Sequence, residues 1–139
     1  MHLHFSVYRK ASQLTGMAVL GLTLAGCGGK STTMCKINSI NVFPVTATAN
    51  HTAAPPGNMQ HFDAFIASEP AGCVFTQSNL ATATWSVSDT TNISISNVHD
   101  ATNGTATCHG TTVGAVTVTA TVPAGDGSNV SNTASLTCN

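Results

Sequence analysis

Five cysteines, six histidines and five carboxylates are the residues of this chain best equipped for chemistry. His51, His61, His99 and His109 could ligate a metal. They fall in or beside different loops and strands, however, and none of the four stands in a His-x-His or Cys-x-x-Cys spacing, so they are expected to be surface residues. "GDGSN" around Asp126 resembles part of a calcium loop, but no second closely spaced carboxylate or bidentate glutamate accompanies it, and a hairpin turn is the simpler reading. Serines are plentiful, yet no Gly-x-Ser-x-Gly elbow is present. Asp63, Glu69, Asp89, Asp100 and Asp126 are scattered without an acid/base pair. The expectation is a protein with no catalytic residue, no metal site and no cofactor.

The cysteines divide by context. Arg9 and Lys10 precede the apolar run "GMAVLGLTLAG", whose length suits the h-region of an export signal and falls well short of the ~20 residues that span a bilayer. The run ends in Leu24, Ala25, Gly26 and Cys27, which resembles the lipobox of bacterial lipoproteins. Small residues there suit a peptidase that needs slim side chains at the scissile bond, and the Cys27 thiol can carry a thioether lipid. The resemblance implies a leader over residues 1–26, a lipidated tether over 27–36 and a domain over 37–139. It also implies attachment to a membrane through the lipid. Gly28 and Gly29 replace the Asp that retains many lipoproteins in an inner membrane, so the outer membrane of a bacterial envelope is the expected address.

With the leader excluded, two lysines, Lys30 and Lys36, face five carboxylates, a formal balance of −3. That balance argues against nucleic acid and against a polybasic attachment to anionic lipid. Charged residues are only 6% of the chain, against about 25% in ordinary soluble domains. Thr, Ser and Asn must wet the surface instead.

Period two organises what remains. "AVTVTATV" places Val116, Val118, Ala120 and Val122 on one face and threonines on the other, the pattern of a strand with one buried face. "ATATWSVS" turns Ala83, Trp85 and Val87 inward, "NISIS" Ile93 and Ile95, "QHFDAFIA" Phe62, Ala64 and Ile66, and "NTASLTC" Ala134, Leu136 and Cys138. "INSINVFPVTATAN" reads as a first strand interrupted at Pro44, a residue suited to an edge or a bulge. Turn signals such as "HTAAPPGN", "HDATNG" and "PAGDGSN" separate these runs. Six or seven short strands without an amphipathic helix predict an all-β sandwich, with Trp85, Phe62 and Val118 in its core and Phe65 and Phe75 nearer the surface.

Taken together, "INVFPVTATA", "QHFDAFIA", "ATWSVSDTTNISIS" and "GAVTVTATV" resemble the group 2 bacterial Ig-like domain found in invasin- and intimin-type surface proteins, over roughly residues 37 to 138. The resemblance implies an Ig-like Greek-key β-sandwich of about seven strands and a surface role such as adhesion, without a substrate. The chain departs from antibody-type domains, because "AVTVTATV" holds no cysteine where those place one, and Trp85 is expected to pack on aliphatic neighbours alone.

Cys35, Cys73, Cys108 and Cys138 remain after Cys27, an even number in an exported domain, and four cysteines allow three pairings. Sandwich topology chooses among these. Cys35 opens the first strand and Cys73 follows the second, so antiparallel pairing brings them together. Cys138 ends the last strand and Cys108 sits before its neighbour, which is expected to begin near Val113. The predicted bridges are Cys35–Cys73 and Cys108–Cys138. Two functions fit this reading: a membrane-anchored structural or protein-interaction module that meets an envelope protein through sheet edges or loop tips, and a small module that binds a surface glycan. A flat Thr-covered sheet with an unpaired edge would mark the first, an exposed aromatic beside a polar groove the second.

Overall fold

A computed structural model describes residues 35–75, 80 and 82–139. The lipobox, Cys27 and the leader lie outside the described residues. The fold is all-β: β1 (Ser39–Phe43), β2 (Thr46–Ala49), β3 (Met59–His61), β4 (Asp63–Ser68), β5 (Thr84–Val87), β6 (Ile93–Ile95), β7 (Thr105–Cys108), β8 (Val116–Pro123) and β9 (Asn129–Cys138). One sheet has the order β2-β9-β8-β5, with β2 parallel to β9 and the other neighbours antiparallel. The remaining strands form β1-β4 and β3-β7-β6. Only Phe62 separates β3 from β4, so the two short sheets continue one another and face the first across a shared core.

Alternation supplies that core. Val116, Val118, Ala120 and Val122 of β8 are all buried, as are Ala134, Leu136 and Cys138 of β9, while the intervening threonines and serines turn outward. Phe62, Ala64, Ile40 and Val42 close the core from the other side. Each Val, Leu, Ile or Phe side chain among them contributes about 1.5–3 kcal/mol on removal from water, the alanines less. Trp85 is buried as expected, but its company differs from the expectation. The Phe62 ring lies 6.4 Å away, centroid to centroid, and the indole Nε1–H donates to Asn103 Oδ1 at 2.8 Å. An aromatic neighbour and an amide therefore share the site with the aliphatic residues.

Pro44 ends β1, and the chain then changes layers: β1 pairs with β4, whereas β2 pairs with β9. Proline has no N–H for a ladder, so the strand divides there. β8 begins at Val116 rather than near Val113. One strand was not foreseen. β7, "TATC", alternates Thr105 and Thr107 with buried Ala106 and Cys108. Its apolar residues are too small to stand out from the flanking turns, although it sits between β3 and β6.

The disulfides join Cys35 to Cys73 and Cys108 to Cys138, with Cα atoms 5.4 and 5.8 Å apart. The first pins the chain ahead of β1 to the chain after β4. The second differs in placement from the expectation of a bridge within one sheet: Cys108 ends β7 and Cys138 ends β9, so the bond ties one layer to the other.

Candidate functional site

β4 carries the candidate site because β7 stops short of it. Gln60 lies opposite Ala106 and His61 opposite Thr105, and the last rung is the Phe62 N–H donating to Gly104 O at 3.0 Å. Gly104 then turns the chain away at φ 80°, and a Cβ there would collide with Phe62 O and the indole of Trp85. Only glycine fits. Beyond this point β4 has β1 on one edge and, among the described residues, no strand on the other.

Main-chain parity identifies what that open edge presents. Cys108 N–H donates to Asn58 O and Phe62 N–H to Gly104 O, so the even-numbered residues of this stretch address the β7 side. The alternation passes unbroken through Phe62, Ala64 and Ile66, whose side chains share the inward face. The N–H and C=O groups of Ala64 and Ile66 consequently point along the vacated track.

Two adjoining cavities, of 280 and 310 Å³, follow this edge. The first lies among His61, Asp63, Phe65, Asp100 and Asn103. The second lies between the strand from Phe65 to Glu69 and the side chains of Phe75 and Leu80. Phe65 and Leu80 line both, which makes one groove. Phe65 is 41% exposed and packs edge-on against Phe43, itself 50% exposed, at 6.0 Å. The two rings form a diagonal cross-strand pair on the outer face of β1 and β4, since Phe43 lies opposite Asp63. Three of the chain's five carboxylates, Asp63, Glu69 and Asp100, line the groove, and among the described residues no lysine or arginine does.

Side-chain hydrogen bonds hold the polar wall. His61 Nε2–H donates to Asp63 Oδ1 at 3.2 Å, and its Nδ1 lies 3.0 Å from Thr105 Oγ1. Asp100 accepts from the hydroxyl and the N–H of Thr102, which lowers its pKa. Asn103 receives the Trp85 indole N–H and donates to Ala83 O at 3.4 Å. Asn97 acts on the other side of the tryptophan. Its Oδ1 accepts from Trp85 N–H at 2.6 Å and its Nδ2 donates to Trp85 O at 3.0 Å, so one side-chain amide closes the edge of β5 as a strand would.

The histidines are dispersed. His51 bonds the Asn139 carbonyl, His109 Nε2 lies 2.8 Å from Ser94 Oγ, His99 is exposed, and among the described histidines only His61 lines the groove. Among the described residues no three His, Cys, Asp or Glu side chains come close enough to hold a metal ion. Asp126 sits in the β8–β9 turn between Gly125 at φ 100° and Gly127 at φ 87°. Its carboxylate accepts from the hydroxyl and N–H of Ser128 and pairs with Lys36 at 3.3 Å.

Sequence reading did not find the groove. Alternation marked Phe65 as outward, but nothing local to β4 shows that its neighbour ends at Gly104. The outer face of β2 and β9 is the alternative surface, with an open cavity of 360 Å³ lined by Thr46, Thr48, Ser135 and Thr137. Set against known proteins, the chain matches no family model and no curated protein.

Proposed function

We propose that this protein is a membrane-anchored, non-catalytic module of the Ig-like kind that holds a partner protein at the bacterial cell envelope. The open edge of β4 with its groove carries the reading. An exposed strand edge beside an apolar, aromatic wall is a surface for protein contact. The Ig-like assignment draws support from the first strand's division between layers at Pro44 and from the buried Trp85. Anchoring rests on the lipobox at residues 24–27.

A photo-crosslinking residue in place of Phe65, introduced into the full chain in its native envelope, tests the reading. A defined adduct is expected from position 65, with Val113 at a loop tip as the other contact that would sustain the reading, and none from Thr119 on the outer face of β8. A glycan reading has its own support, since exposed Phe65 stands beside His61, Asp63 and Asn103. The protein reading is favoured because the groove follows a strand edge, whose repeating main-chain groups another backbone matches along its length.

A further inference from the structure

We infer that the groove along β4 receives an extended, basic and apolar peptide segment of the partner, added as a strand in the track that β7 vacates at Gly104. The inference rests on the interaction-module reading and specifies the partner's chemistry. Three independent observations lead to it.

The first is geometric. Ala64 and Ile66 present N–H and C=O groups at the two-residue repeat of a strand, about 6.6–6.8 Å apart. A second backbone has that repeat. The second observation is the wall across from the edge, where Phe75 and Leu80 stand beside Phe65 and offer pockets for alternate side chains of an added strand. The third is charge. Asp63 and Glu69 lie near the two ends of the groove and Asp100 lines it with Asp63, with no lysine or arginine among the described lining residues. A peptide bearing Lys or Arg between apolar residues complements this lining.

Charge also weighs against a second copy of the same chain in the register centred on Ile66. Antiparallel pairing of two β4 strands about Ile66 would set Asp63 of each opposite Glu69 of the other, carboxylate against carboxylate.

The test uses the full chain in detergent and a fluorescent peptide of about eight residues, long enough for a typical strand, with alternating Lys and Val. Binding is expected by anisotropy, together with slowed amide exchange at Ala64 and Ile66. N-methylation of the peptide on alternate residues should weaken binding at least about tenfold, or 1.4 kcal/mol, in one parity and leave it intact in the other, because a strand bonds along one edge at a time. Ile66→Pro should do the same from the protein side, since that N–H faces the open track rather than β1. The methylated peptides carry the test should the proline variant fail to fold.

Equal binding of a peptide with Glu for Lys overturns the charge argument. Equal binding of both methylated peptides overturns strand addition. Protection of Ala64 and Ile66 by a chito-oligosaccharide, with no peptide binding, overturns the inference in favour of a glycan. Crosslinking in the native envelope separates the two levels: adducts from Val113 at the loop tip but none from Phe65 sink the inference and leave the module standing, whereas adducts from neither position sink both.

Discussion

Asn97 and Asp126 show how single residues do structural work in a chain with so few charges. Asn97 satisfies both the N–H and the C=O of Trp85 at an edge where no described strand arrives. Asn97→Ala leaves both without that partner, and a loss of about 1–3 kcal/mol in denaturant unfolding is expected. Asn97→Asp should restore only the acceptor and fall between. Asp126 illustrates pH dependence. The Ser128 hydroxyl and N–H, and then Lys36, lower its pKa from 3.8 to about 2. Asp89, bonded to Asn92 and Thr91, and Asp100, bonded to Thr102, are also lowered. A carboxylate whose folded pKa is depressed stabilises the fold above its unfolded pKa, and that contribution disappears as pH falls through the folded value. Stability should therefore decline between pH 3.8 and about 2. Asp126→Asn should flatten the Asp126 part of that decline, a difference readable in thermal midpoints across the window. A decline of the same depth in the variant would remove Asp126 from the account.

At the scale of elements, the boundaries of β7 shape both the core and the groove. Gly104→Ala should cost more than about 2 kcal/mol, because the left-handed φ and the collision with Phe62 O and Trp85 act together. Urea unfolding checks this, and a Gly104→Ala protein as stable as the parent would mean that the turn is not held as described. The inter-layer bridge Cys108–Cys138 closes a separation of 30 residues and the peripheral Cys35–Cys73 bridge one of 38. Chain entropy alone assigns the two nearly equal values, roughly 3.5–4 kcal/mol. Their accessibility differs, since Cys108 and Cys138 are buried whereas Cys35 is exposed. Limited reduction should open Cys35–Cys73 first, as thiol labelling and peptide mapping would record. The strand order implied both pairings in the sequence; it did not imply that the second bridge crosses layers, because β7 was not read as a strand.

For the molecule as a whole, the two ends of the sandwich have different neighbours. Cys35, Lys36 and Ile37 lie at the β8–β9 turn, through Ile37 N–H to Ala124 O and Lys36 to Asp126. Asn139 lies by His51 and β2 at the far end of β9, a ten-residue strand about 33 Å long. The segment from Cys27 to Cys35 reaches at most about 28 Å. That reach is counted from Cys35, at the turn end of the sandwich. Cys27→Ser is expected to release the protein from membranes or leave the leader uncleaved; fractionation and mass spectrometry of the N-terminus check this. A processed, membrane-bound variant would remove the lipid from the account.

The residues alone determined the all-β class, the inward faces of β8 and β9, the burial of Trp85, Phe62 and Val118, and the two cysteine pairs. Each follows from local alternation or from strand order, and side-chain direction along a strand is a local property. Tertiary structure decided the rest. Whether the edge of β4 is covered depends on where β7 ends. Whether Trp85 meets an aromatic depends on where the layers place Phe62, and Cys108 reaches across to Cys138 because their strands belong to opposite sheets. Those are facts about which segments become neighbours, and neighbours distant in sequence leave no period in the chain to read.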